Sequence, residues 1–288
     1  MNALAFGEVL WDVYSQSQHI GGAPLNFAAH FIKCGGEANI ITAVGYDDLG
    51  NDTLDEIKGL GVGTAYLCRV EKETGKCLVS LNEKGVPSYN LLDNVAYDYI
   101  EKPNLNGKNF ELLYFGTLSL RHKNNISVLK TIISSNSFRE IILDMNIRVP
   151  YYSKDAINFA LDNATIVKIS EEELPTVMQL ISKTASSVKE SAEIISANFE
   201  KIKMIIVTKG DEGSFVYDCI LQKTYECDAQ KVNVVSTVGA GDSFTAAFSA
   251  QYLKTGNITK ALNFATKISG YVVSCEEAIP DYKLEDFA

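Results

Sequence analysis

The sequence predicts an α/β fold in which a mostly parallel sheet lies between helices and a short all-β stretch is inserted. Two observations predict it. Short β-branched or aromatic runs alternate with amphipathic helical stretches along most of the 288 residues, and alternation at this spacing builds a parallel sheet covered on both faces. One stretch, residues 64–92, carries no helical pattern and breaks that rhythm.

Taken in order, residues 3–9 and 39–44 read as buried strands. The insertion follows: Tyr66-Leu67-Cys68-Arg69-Val70 and Cys77-Leu78-Val79-Ser80-Leu81 flank a charged turn containing Gly75. Ser88-Tyr89-Asn90-Leu91-Leu92 comes after Gly85-Val86-Pro87. These read as antiparallel strands, either a lid over a site or a surface hairpin. Beyond them, 111–115, 140–144, 165–169 and 204–208 read as strands, separated by helical patterns at 124–133, 154–161 and 188–199. Residues 232–235 read as one more strand, followed by an apolar helix over about 241–253. Ile258, Ala261, Leu262, Ala265, Ile268 and Val272 then mark the last helix by their i, i+3, i+4 spacing. No internal repeat or linker divides residues 1–288, so a single domain is expected.

Bulk properties exclude several classes of partner. A formal net charge of −10 with no basic block repels nucleic acid and anionic lipid. No apolar run approaches the ~20 residues that cross a bilayer, and no basic segment precedes the first apolar residues, so no secretory signal is expected. The six cysteines show neither CxxC pairs nor zinc spacing and read as free thiols. A cytoplasmic protein is the expectation.

Four places could carry chemistry. Gly239-Ala240-Gly241-Asp242 opens a helix; small residues and a helix N-terminus equip it to hold an anion, although Asp242 also suits a helix cap. Gly21-Gly22-Ala23-Pro24-Leu25-Asn26 opens another helix, with Pro24 in its first turn. Asn26 offers an amide that donates to and accepts from hydroxyls. Asp12 follows the first strand, where open α/β sheets bind ligands; a plain turn residue is the alternative. Ser170-Glu171-Glu172-Glu173 is a capping box, and Glu173 could also face phosphates and hold Mg²⁺ through water. Thr208-Lys209-Gly210-Asp211-Glu212-Gly213 reads equally as a nucleotide-binding turn or a hairpin signal.

Together these residues resemble the ribokinase-like (PfkB) family of carbohydrate kinases, and most closely its bacterial fructokinases. Gly7-Glu8-Val9-Leu10-Trp11-Asp12 matches the family's opening, Gly21–Ala28 its first signature and Thr237–Phe244 its second, while Ile279-Pro280 suits its carboxyl end. The resemblance implies a three-layer sandwich whose small β-sheet lid comes from about 11–19 and 64–92. It implies ATP and Mg²⁺ as cofactors, activation by a monovalent cation as an open question, and D-fructose as the substrate giving fructose 6-phosphate. Asp242 would be the base, with the amides of Gly239, Ala240, Gly241 and Asp242 as anion hole. Asp12, Gly21, Gly22 and Asn26 would hold sugar hydroxyls, and Thr208, Gly210 and Gly213 would lie along the nucleotide. Asp144-Met145-Asn146-Ile147-Arg148 looks like a segment shared by fructokinases and 2-keto-3-deoxygluconate kinases. Arg148 would then face the sugar or the transferred phosphate, and a surface arginine is the alternative.

Two positions depart from the family pattern. Ser236 stands where Asp is usual, and Ser170 where Asn is common. Ser236 is the support for a catalytically impaired sugar sensor as the non-enzyme alternative, and a 2-keto-3-deoxygluconate kinase is kept as an alternative because Arg148 could serve a carboxylate. A Rossmann dehydrogenase lacks its GxGxxG fingerprint here. The half-apolar insertion strands also suggest a homodimer through the lid.

Overall fold

The computed structural model describes residues 1–81, 87–105 and 107–287; Gly85 and Val86, read above as part of a turn, lie outside them. In chain order, β1 (Asn2–Phe6), β2 (Leu10–Val13) and β3 (Gln18–Gly21) precede α1 (Ala23–Lys33). Then come β4 (Glu37–Val44), α2 (Asp48–Gly59), β5 (Gly63–Arg69), β6 (Gly75–Leu81) and β7 (Pro87–Leu91). β8 (Leu112–Gly116), α3 (Lys123–Ser135), β9 (Glu140–Asp144), α4 (Lys154–Asn163) and β10 (Ile166–Ser170) continue the alternation. α5 (Leu174–Leu180), α6 (Val188–Asn198), β11 (Met204–Thr208), β12 (Ser214–Asp218) and β13 (Lys223–Cys227) lead to α7 (Ala240–Thr255) and α8 (Ile258–Val272).

Nine strands form one sheet in the order β13-β12-β11-β10-β9-β8-β1-β4-β5. The seven from β11 to β5 run parallel, and β12 and β13 turn back as an antiparallel edge. Successive side chains on a strand point to opposite faces, and here both faces are covered. Leu4 and Phe6 of β1 enter one core with α3, α4, α5 and α6, while Ala3 and Ala5 enter the other with α1, α2, α7 and α8. This explains why the strand runs are apolar throughout. α7 is buried without a break from Ser243 to Ala250, as a helix enclosed by neighbours must be.

Four strands form a separate small sheet, β3-β2-β6-β7. It differs from the expected insertion in two ways. Residues 66–69 belong to β5, the edge of the large sheet, because β4-α2-β5 makes a parallel crossover unit and leaves only the later strands free to leave the sheet. In addition, the small sheet is mixed: β2 and β6 pair in parallel between two antiparallel hairpins, since each central strand comes from a different excursion. The expected strand at 232–235 is irregular chain. Its valines are exposed and the Val235 N–H is taken by the Val273 carbonyl at 2.8 Å, so no ladder partner remains for it. Among the described residues no helix is long and apolar enough to cross a membrane.

Candidate active site

Seven parallel strands deliver their carboxyl ends to one edge of the large sheet, where open α/β sheets bind ligands. Glu8 follows β1, Asp144 ends β9, Lys168 lies near the end of β10 and Thr208 ends β11. Above them stand the N-termini of α1 and α7. Asn26 of α1 donates its Nδ2 proton to Oδ2 of Asp242 at 2.8 Å, joining segments 216 residues apart. The Asn26 Oδ1 is buried and has no partner among the described residues, so one face of the amide stays free to accept.

Gly239 caps α7 in the left-handed region, at φ 78°. Ala240 N–H closes a turn on Thr237 O at 3.3 Å, and Ser243 N–H bonds Gly239 O at 2.9 Å. Among the described residues no acceptor takes the N–H groups of Gly239, Gly241 and Asp242, which leaves three donors at the positive end of a helix. A Cβ on Gly241 would stand 3.0 Å from Lys168 Nζ, so an ammonium sits directly behind them.

That ammonium belongs to a buried pair. Lys168 Nζ lies 3.1 Å from Asp144 Oδ1, in the register that sets the two residues opposite each other on β10 and β9. Asp144 Oδ2 accepts from Thr245 Oγ1 at 3.0 Å. Burial pushes the Asp144 carboxyl up to about 6 against the pull of Lys168. Burial also works against the Lys168 charge, yet Asp144 and Glu173 hold it above its usual range. Each charge therefore favours the other.

Asp242 is half-buried. Burial raises its carboxyl above the ordinary range, while the Asn26 hydrogen bond, Lys168 and Arg148 work to keep it ionised. Glu8 is 2 % exposed, and one of its oxygens has no partner among the described residues. Burial pushes its carboxyl up to about 7, and the charge of Asp242 adds to that. Gly22 is tied to this spot: at φ 113°, a Cβ there would fall 2.5 Å from the Glu8 carbonyl oxygen.

The structure brings most of the expected residues to this edge. Asp12 on β2 faces Gly21, whose Cβ would meet its Oδ2 at 3.1 Å. Burial raises the Asp12 carboxyl, opposed by a hydrogen bond with Cys77 and by the charges of His19 and Arg148. Arg148 is exposed, and it makes no ion pair or side-chain hydrogen bond among the described residues, while its charge reaches Glu8, Asp12 and Asp242. Glu173 is occupied by backbone: Oε2 accepts from Ser170 N at 2.8 Å and Oε1 from Ile147 N at 2.5 Å. Half of the capping box is thus built, and the same carboxylate anchors the chain just before Arg148. Among the described residues no group of three or more His, Cys, Asp or Glu could hold a metal ion. Thr208, Gly210 and Gly213 carry the chain from β11 into β12, with Lys209 N–H on Gly213 O at 2.8 Å, so a hairpin accounts for them locally.

Glu8, Lys168 and Cys77 were missed from the sequence. Lys168 leaves a trace there, as the one charge inside the apolar run Ile166-Val167-Lys168-Ile169. Its partner Asp144 becomes evident only when β9 and β10 are known to be neighbours.

Comparison with known proteins fits this arrangement. The model of the pfkB family of carbohydrate kinases matches residues 2–284. The probable fructokinase-5 of Arabidopsis thaliana is 25% identical over 96% of this chain and 93% of its own length. A 5-dehydro-2-deoxygluconokinase of Bacillus licheniformis is 25% identical over 97% and 89%. The crystal structure of an uncharacterised sugar kinase from Pyrococcus horikoshii in complex with ATP superposes with a TM-score of 0.83. It is 24% identical and covers 99% of this chain and 96% of that one.

Proposed function

The chain belongs to the pfkB family of carbohydrate kinases and is a sugar kinase, and from that premise we propose that it converts D-fructose and ATP to fructose 6-phosphate and ADP. The observation that carries this reading is the 2.8 Å hydrogen bond from Asn26 to Asp242. It holds a carboxylate beside three free amides, which are the two parts a phosphoryl transfer to a hydroxyl needs.

A sugar hydroxyl is too weak an acid for a carboxylate to deprotonate beforehand. In a loose transition state the proton leaves late, once the bond from the hydroxyl oxygen to phosphorus is forming. Asp242 takes that proton while the bond from the γ-phosphorus to the β-phosphate oxygen breaks. The N–H groups of Gly239, Gly241 and Asp242, beside Ala240 in the same turn, stabilise charge on the transferring group, and Lys168 adds an ammonium behind them. Asp12, the backbone at Gly21 and Gly22, and the free Asn26 Oδ1 bind sugar hydroxyls. Thr208, Gly210 and Gly213 run along the nucleotide, and the exposed valines 232, 234, 235 and 238 offer an apolar strip for its base. The donor set would not ligate Mg²⁺ directly; Glu173, whose oxygens already accept from backbone, would hold a hydrated ion only through water, and the ion would neutralise phosphate charge. Ser236 Oγ accepts from Val238 N at 3.3 Å; it closes the turn without a carboxylate and offers a monovalent cation only a neutral oxygen.

The small sheet is proposed as the lid of a single kinase domain. Its exposed Tyr14, Leu78 and Tyr89 support a homodimer through the lid, and a cytoplasmic location completes the proposal. One observation favours a second substrate: the free guanidinium of Arg148 suits the carboxylate of 2-keto-3-deoxygluconate. Coupled ADP release across hexoses, pentoses and keto-acid sugars decides between them. Fructose is expected to give the highest kcat/KM, and Arg148→Gln is expected to affect an acid sugar far more than fructose. No ADP release with any sugar would refute the proposal.

A further inference from the structure

The phosphate cradle has a wall that its own turn does not supply. A Cβ on Gly239 would lie 2.5 Å from the Ala278 carbonyl oxygen and 2.9 Å from the Ala278 Cα. The irregular chain after α8 therefore presses directly on the residue that caps α7. The same chain receives the N–H groups of Val235 and Ser236 on Val273 O, at 2.8 and 3.2 Å.

Ala278 is fixed in turn by His30. This side chain is fully buried, on α1 one turn beyond Asn26, so both residues lie on one face of the helix. Its Nε2 lies 2.9 Å from Ala278 O and its Nδ1 2.8 Å from the Tyr282 hydroxyl. A carbonyl can only accept, so Nε2 carries the proton. Burial holds the ring neutral, down to about 4, so Nδ1 accepts the Tyr282 proton. Lys33 adds an ion pair to Asp281 at 3.0 Å. One helix thus holds the catalytic carboxylate through Asn26 and the chain behind the cradle through His30.

We propose that His30 is a positioning residue for phosphoryl transfer: its Nε2–H holds Ala278 against Gly239 and so keeps the left-handed turn that aims the free N–H groups at the phosphate. The proposal rests on the kinase reading only for the ligand that the cradle takes.

Two substitutions separate this role from simple packing. The amide of His30→Gln reaches the place of Nε2 and can still donate to Ala278, whereas that of His30→Asn reaches the place of Nδ1 and meets only Tyr282. Misplacing a reacting group by about 1 Å costs up to about 10² in rate. His30→Asn is therefore expected to lower kcat about 10-fold to 100-fold, with the sugar KM within about twofold, and His30→Gln to recover most of it. In ¹⁵N-glycine-labelled protein without ligand, the Gly239 and Gly241 amide resonances are expected to move in His30→Asn and to return in His30→Gln. Unmoved resonances in His30→Asn would overturn the proposal, as would equal losses in the two variants. If the wild type phosphorylates no sugar, the kinase reading fails while the resonances still decide the role of His30.

Discussion

Glu8→Gln offers a direct measure of what the buried charge at this site costs. Glu8 is 2 % exposed, and one of its oxygens has no partner among the described residues. Burial, with a smaller push from the charge of Asp242, raises its carboxyl from 4.5 to about 7, while a hydrogen bond to its own backbone and, less strongly, Arg148 and Arg121 only partly oppose them. Between those values the native chain binds a proton that the unfolded chain releases. The stabilisation is therefore complete below about pH 4.5 and is lost as pH rises through 7. At about 1.4 kcal/mol per unit, the interval corresponds to about 3 kcal/mol. Glutamine keeps the shape and stays neutral, so the stability of Glu8→Gln relative to wild type should rise by about that amount between pH 4.5 and 8.5. The difference isolates Glu8, because Asp12, Asp144 and Asp242 titrate in both proteins. Urea unfolding followed by far-UV circular dichroism and by Trp11 fluorescence measures it. Trp11 is the single tryptophan and is buried, with Nε1 2.8 Å from Thr53 Oγ1. Coincidence of the two probes licenses the two-state treatment. A difference that stays constant across this pH range would refute the reasoning.

Three further outcomes follow from the same geometry. Asp242→Asn should keep ATP and sugar affinity, measured by calorimetry, while turnover falls by about 10²–10⁴; turnover near that of wild type would remove Asp242 from the role of base. Gly239→Ala forces a side chain into φ 78° and to 2.5 Å from Ala278 O. Coupled assays should show turnover reduced by at least about 10², as when an oxyanion donor is lost, and wild-type turnover would contradict the cradle. Lys168→Met strands the Asp144 carboxylate and should cost about 3–5 kcal/mol in urea unfolding. The double variant Lys168→Met/Asp144→Leu should recover most of that stability without recovering turnover, and recovered turnover would restrict Lys168 to structure.

The large sheet was legible because its strands are buried on two faces and its helices on one. That difference in period shows in a single sequence, and 140–144 and 204–208 match β9 and β11 to the residue. Asp242 and Asn26 were legible because glycine turns and helix starts leave local marks. What was not legible depends on neighbours. Residues 66–69 have strand character in either sheet, and only the crossover through α2 assigns them to the large one. Residues 232–235 have the composition of a strand but no adjacent edge to pair with. Glu8 and Lys168 carry charges whose meaning comes from register and burial. Arg148 was found through its motif, while its lack of a protein partner among the described residues is visible only in three dimensions.

The electrostatic layout explains why two distant signatures must meet. Burial raises the Asp242 carboxyl, and because only the ionised form accepts a proton, burial works against the base proposed there. Against burial stand Asn26, Lys168 and Arg148, and each arises from a different source. Asn26 is delivered by α1, Lys168 by the sheet, and Arg148 by the chain after β9, anchored just before it by Glu173 through Ile147 N. Helix α7 supplies the carboxylate and the amides but none of these counterweights. The turn Gly239–Asp242 thus presents free amides by its own geometry, and the groups that favour the ionised form of the proposed base come only from the first signature, the buried strands and the chain after β9.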